Sequence, residues 1–272
     1  MPIEPRALGA PAPKEIPLSD APLIRVIAQV RFPQILAIRN PDTVALFQEK
    51  IRMTYPILKE EAAHHVTVLP GVAPEITQIR IWRFLDRAEK PNWRVSLGSD
   101  FVALEAMEYG SRVDFLARLR DVVSGVESSF RPAEAQRLGI RYIDRVVEDG
   151  FDQLAQLVQP KVLGITHPGT APPADLSAAV VHSITETSFE AAEGQLVARW
   201  GILSPNGTYD VDAVEPIVGP SWVLDLDMYT NAAFQFDTHE ILRRADEFCQ
   251  RIYYVFREIV TDDFLKFYGG KP

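Results

Sequence analysis

The sequence predicts an α+β fold made of duplicated β-α-β-β-β-α units, whose strands form curved antiparallel sheet packed on helices in a helix-grip-like or TBP-like arrangement. Three observations lead there. Several short segments alternate apolar and polar residues with period two. Two long segments, one closing each half, repeat apolar residues at spacings of three and four. The order of these patterns in the first half recurs in the second, which points to internal duplication.

The first 22 residues hold prolines at 2, 5, 11, 13, 17 and 22 and few large apolar side chains. They are expected to form an extended or disordered arm. From Leu23, the apolar set Ile24, Val26, Ala28, Val30 and Phe32 faces one way, while Arg25, Gln29 and Arg31 fall on the opposite parity. That is a strand covered on one side. Asn40-Pro41-Asp42 supplies a cap and a first-turn proline, and Val44, Phe47, Ile51 and Tyr55 then recur at helical spacing until Pro56. Three strands follow, Ile76 to Leu85, Trp93 to Leu97 and Phe101 to Ala106, separated by the turns Glu89-Lys90-Pro91-Asn92 and Gly98-Ser99-Asp100. Ser111 with Asp114 signals a helix start, and Leu116, Leu119, Val122, Val123 and Val126 carry the helix towards Phe130.

In the second half, Arg137 to Val146 reads as a strand with Leu138, Ile140, Tyr142 and Val146 on one face and Arg137, Arg141 and Arg145 on the other. A short helix from Phe151 to Val158 and strands from Val180 to Phe189, Leu196 to Ile202 and Trp222 to Tyr229 come next. Thr238 is expected to cap a last helix with the stripe Ile241, Ala245, Phe248, Ile252, Val255 and Ile259. The units are placed at 23–130 and 136–266 within one compact two-lobe domain. Long loops are expected at 160–178 and 204–220, where glycine and proline punctuate the pattern.

With 272 residues, 47% of them hydrophobic, the chain can bury a sizeable core. Its single cysteine, Cys249, excludes a disulfide framework, and the absence of a secretory pattern suggests a reducing cytoplasm. No apolar run approaches the ~18 residues of a membrane span. A net charge of −9 disfavours general attraction to nucleic acid or anionic lipid.

The segments Ser19 to Phe32, Tyr55-Pro56, Arg137-Leu-Gly-Ile-Arg-Tyr-Ile-Asp144, Leu224-Asp-Leu-Asp227 and His239-Glu240 together resemble a sporadically distributed family of conserved bacterial proteins with no assigned function. The likeness spans nearly the whole chain. That resemblance implies an accessory type of gene and no particular reaction. Where this chain has Arg25 and Gln29, that family often has acidic residues.

Strand parity gathers charges on the side away from the helices: Arg25, Gln29 and Arg31, then Arg94 and Ser96, then Arg137, Arg141 and Arg145, then Arg199, and Asp225 with Asp227. Arginine presents a planar fork of donors suited to carboxylate or phosphate, so this face is a candidate surface for an anionic ligand or partner segment. The candidate binding residues are Arg25, Arg31, Arg94, Arg141, Arg145, Arg199, Asp225 and Asp227. The plainer alternative is that these arginines and acids pair with one another across a half-solvated face. Asp225 and Asp227 share a strand face with about 7 Å between them, close enough for one hydrated divalent ion, with Asp144 and Glu105 as further oxygen donors, although Asp144 has the parity of the apolar set of its own strand.

His64, His65, His167, His182 and His239 are scattered without ligand spacing, His64-His65 being expected in a loop. No nucleophile elbow or phosphate-cradling glycine loop is present. Trp82, Trp93, Trp200 and Trp222 fit core packing better than base stacking. The preferred reading is a non-enzymatic binding module without cofactor; the alternative is a magnesium-dependent enzyme of phosphate chemistry, with Arg141, Arg145 and Arg199 clamping the anion and Asp225 and Asp227 holding the ion. Nucleic-acid binding through the same arginines ranks third, and exposed strand edges offer a route to a homodimer.

Overall fold

A computed structural model describes residues 13–67, 75–164 and 180–272, apart from the side chains of 62–67 and 75–79. Its strands and helices in the first half are β1 (Leu23–Arg31), α1 (Pro41–Ile51), β2 (Ile57–Thr67), β3 (Glu75–Leu85), β4 (Trp93–Gly98), β5 (Phe101–Ala106) and α2 (Arg112–Phe130). The second half adds β6 (Glu134–Ala135), β7 (Arg137–Val146), the short helices α3 (Glu148–Asp152), α4 (Leu154–Leu157) and α5 (Pro160–Leu163), then β8 (Ser183–Ala191), β9 (Gly194–Leu203), β10 (Ser221–Thr230), β11 (Phe234–Gln235), α6 (Thr238–Ile259) and α7 (Asp262–Phe267). Nine strands are hydrogen-bonded in the order β2-β3-β4-β5-β1-β7-β10-β9-β8. The α+β class with a large antiparallel sheet on helices is therefore as the alternation predicted. No helix among the described residues is long and apolar enough to cross a membrane.

Two compact units make up the chain. One consists of Ile27–Gly139 with Asn231–Asp246; the other of Ile140–Thr230 with Glu247–Pro272 and residues up to Val26.

In the first of these, β2 to β5 run as an antiparallel meander with Trp82 opposite Leu97 and Arg94 opposite Glu105. Helix α1 starts where Asn40 accepts the Asp42 N–H, and α2 where Ser111 accepts the Asp114 N–H, as the capping residues predicted. Phe47 of α1 meets Phe84 of β3 at 5.4 Å and Phe130 of α2 at 5.9 Å. Gly125 sits inside α2 because a Cβ there would lie 3.1 Å from the Phe47 ring.

The sequence reading differs from this unit in three places. Strand β2 was expected to be loop, and His64 and His65 lie in it rather than in a loop. Its residues lack an alternating pattern because Glu60 and Glu61, on opposite parities, pair with Arg80 and Arg83 of β3 rather than facing a core. Phe115, not Leu116, is the buried first member of the α2 stripe. The start of α6 is capped by Asp237, whose carboxylate accepts the Glu240 N–H at 2.8 Å, while the Thr238 hydroxyl donates to Glu127 at 2.5 Å.

In the other unit, β10 pairs with β9 and β9 with β8, and β7 lies beside β10. Gly201 has φ +148°, and a Cβ there would fall 1.8 Å from the Ser183 carbonyl oxygen, so only glycine lets β8 approach. Three short helices replace the single one expected after β7, and α5 occupies the start of the loop expected at 160–178; residues 165–179, with His167, lie outside the described residues. Thr261 caps the unexpected α7, and its hydroxyl donates to the Leu157 carbonyl at 3.0 Å, tying α7 to α4. Of the expected arm, residues 13–22 carry neither helix nor strand. They are nonetheless fastened: the Ile16 N–H donates to the Tyr253 hydroxyl at 2.9 Å and the Asp20 N–H to the Tyr268 carbonyl at 3.2 Å.

Candidate functional site

A row of charges in the unit holding β8 to β10 grows from strand register. Glu186, Arg199 and Asp225 stand directly opposite one another on β8, β9 and β10, so charges of alternating sign form a row across the sheet. Arg141 on β7 continues that row. Its Nε donates to Asp225 Oδ1 and its Nη2 to Oδ2, both at 2.8 Å, a side-on fork.

Asp225 is 0% exposed. Besides the fork, its Oδ2 accepts the Tyr209 hydroxyl at 3.0 Å and lies 3.5 Å from Arg199 Nη1. Arg199 completes its pairing through Nε to Glu186 at 2.6 Å, and Arg141 Nη1 donates to Asp210 at 2.8 Å. Burial acts to lower the Arg141 pKa, but the bonds and charges of Asp225 and Asp210 outweigh it and raise the pKa. Burial and then the Asp225 charge push the Tyr209 phenol up, so it remains a donor.

Above the row lies an open cleft of about 570 Å³, with Arg141, Arg199, Tyr209, Asp210, Val211 and Asp227 among its walls. Loop 204–220 forms one side of it. The loop folds on itself through the Thr208 hydroxyl, which donates to the Val214 carbonyl at 2.6 Å, and through Asp210, which accepts the Asp212 and Ala213 N–H groups at 3.2 Å each. Arginines on the sheet grip it: Arg25 Nη1 donates to the Asp212 carbonyl, and Arg145 Nη1 to the Glu215 carbonyl at 2.6 Å.

Parity therefore brings Arg25, Arg141, Arg145, Arg199, Asp225 and Asp227 into one unit, but in different roles. Arg141, Arg199 and Asp227 line the cleft. Arg25 and Arg145, expected on a half-solvated face, are buried beneath the loop, and Asp225, expected to meet a ligand, is enclosed by its own donors. Arg31 and Arg94 belong to the other unit and do not join this cleft. Arg31 pairs with Asp100 at 2.6 Å, and Arg94 forks onto Glu105 at 2.9 and 2.5 Å. The plainer expectation of cross-strand pairing describes Arg94, and it describes Arg141 and Arg199 on Asp225 and Glu186 as well, whereas Asp100, the partner of Arg31, lies in the turn between β4 and β5.

The magnesium alternative needs Asp225 open to a hydrated ion, and its carboxylate is fully buried, with Oδ1 accepting from Arg141 and Oδ2 from Arg141 and the Tyr209 hydroxyl. Glu105 is held by Arg94, and Asp144 is buried, its carboxyl pushed up to about 7 by desolvation. Among the described residues, no group of three or more His, Cys, Asp or Glu side chains is arranged to hold a metal ion.

Tyr209, Asp210 and Glu215 were missed in the sequence. They occupy a loop whose only signal was its length and its glycine and proline content, and no periodicity assigns a loop residue to a sheet face. Comparison with known proteins returns no matching family model and no matching curated protein.

Proposed function

We propose that this protein is a non-enzymatic binding module whose cleft beside β7, β9 and β10 receives an anionic group carried by a small ligand or a partner segment. One observation carries the reading: Arg141 and Arg199 are both fastened to the fully buried Asp225 while also lining an open polar cleft. A guanidinium has five N–H donors; three of those of Arg141 and two of those of Arg199 are used within the chain, so each keeps donors for a ligand. Because Asp225, with Asp210 and Glu186, holds both guanidinium groups beforehand, an acceptor group arriving there meets donors that need no reordering.

Asp210 and Asp227 also line the cleft, so its occupant carries donors as well as an acceptor. A zwitterion or a peptide segment of mixed charge fits better than a polyanion, and the same acids weigh further against nucleic acid. The strand order supports the duplicated, TBP-like part of this reading, since β5, β4 and β3 succeed one another outward from β1 as β10, β9 and β8 do from β7.

Titration calorimetry with L-glutamate and with succinate on the full chain tests the site. Binding is expected to favour glutamate, and Arg199→Gln is expected to weaken it at least tenfold while the protein stays folded. No heat from either probe, or equal affinity in Arg199→Gln, sinks the proposal.

A further inference from the structure

Arg145 shares neither the cleft nor the pairing of its neighbours. It is 7% exposed, and its Nη1 donates to the Glu215 carbonyl at 2.6 Å, yet its Nε and Nη2 are buried without a hydrogen-bond partner in the chain. Those two atoms form the edge of a guanidinium that makes a side-on fork. Arg141 uses the same edge on Asp225, through Nε and Nη2 at 2.8 Å each, and Arg94 uses it on Glu105. Buried donors of this kind are nearly always satisfied in folded proteins, and a buried charge without a partner is strongly destabilising.

The local charge balance leads the same way. Arg25, 8% exposed, also lies under loop 204–220, with Nη1 on the Asp212 carbonyl and Nη2 3.7 Å from the Glu215 carboxylate. That carboxylate side chain is 80% exposed. Glu215, a solvent-facing acid, thus stands near both Arg25 and the buried Arg145 guanidinium. Tyr209 and Glu215 are the titratable groups that Arg145 feels electrostatically, and burial lowers the Arg145 pKa.

We propose that the Nε–Nη2 edge of Arg145 is a second binding site, distinct from the cleft, that takes a single small oxyanion, a carboxylate or a phosphate group, beneath loop 204–220. The oxyanion accepts two parallel N–H bonds and supplies the missing counter-charge. Since both nitrogens are inaccessible with the loop in place, entry requires the loop to lift from its anchors on Arg25 and Arg145, and occupancy holds it down. The site binds a group that is freely diffusing or projects from a larger molecule.

The test uses the full chain in zwitterionic buffer, with inorganic phosphate and acetate each titrated against sodium chloride of equal ionic strength. Thermal stability and amide exchange of loop 204–220 are the readouts. Phosphate or acetate is expected to raise the melting temperature and slow loop exchange beyond the chloride control; a response to acetate alone assigns a carboxylate, to phosphate alone a phosphate group. Arg145→Lys, which keeps the charge and loses the fork, is expected to weaken that response at least tenfold, while Arg199→Gln leaves it unchanged. The reverse pattern assigns the anion to the cleft and overturns this proposal without touching the cleft reading. No response beyond chloride overturns it too. If Arg145→Lys does not fold, a wild-type crystal grown in phosphate or acetate decides: an oxyanion within hydrogen-bond distance of Arg145 Nε and Nη2 supports the site, and water there overturns it.

Discussion

Asp225 is a carboxylate placed where no water reaches it, and it stays there because Arg141, Arg199 and Tyr209 donate to it. Taking away one member of such a set leaves a buried charge short of partners. Arg141→Met is therefore expected to lower stability by about 3–5 kcal/mol in urea unfolding, and adding Asp225→Leu to recover a large part of it. A loss below about 1 kcal/mol in Arg141→Met would show that the fork contributes little. Asp144 presents the opposite case, because burial alone sets its pKa. Its carboxyl moves from 3.8 unfolded to about 7 folded, so the native state holds the proton longer. The penalty is absent below pH 4, grows as pH rises to 7 and is complete above it, amounting to about 4 kcal/mol. Asp144→Asn is expected to raise the melting temperature much more at pH 8 than at pH 4.5; equal gains at the two values would contradict the shift. That Asp144 would be buried was readable from its parity with Leu138 and Ile140, whereas the closeness of Tyr209 to Asp225 was not, because no local rule links a loop residue to a strand so far along the chain.

At the level of elements, strands and helices with one apolar face were legible and those without one were not. β1, β7 and β10 showed their alternation, and α1 and α2 their caps, because burial of one face dictates residue type at fixed spacing. β2 was invisible because Glu60 and Glu61 answer to cross-strand charges, Glu60 with Arg80 at 2.8 Å and Glu61 with Arg83 at 3.0 Å, rather than to a core. β9 depends on a backbone exception. Gly201 is expected to tolerate no side chain, and Gly201→Ala should cost at least about 1–3 kcal/mol through strain at positive φ and collision with the Ser183 carbonyl. Thermal unfolding checks this: an unchanged melting temperature would mean that β8 can shift away freely.

On the scale of the molecule, charge argues against one class of partner. With net −9 and with Asp210 and Asp227 beside Arg141 and Arg199, retention of a double-stranded DNA fragment is expected to be undetectable at about 0.15 M salt, where phosphate-led binding already weakens steeply. Tight binding that falls away as salt rises would reinstate the nucleic-acid reading. The alternation of apolar residues was enough to establish an α+β chain and to put Arg141, Arg199, Asp225 and Asp227 on a common side, since strand parity is a local property with a period of two. Which side chains line the cleft, that Arg25 and Arg145 are sealed under loop 204–220, and that Arg31 and Arg94 belong to another unit came only with the folded chain. Burial and pairing depend on segments distant in sequence, and nothing in the run of residues around Arg145 announces that Glu215, seventy positions later, covers it.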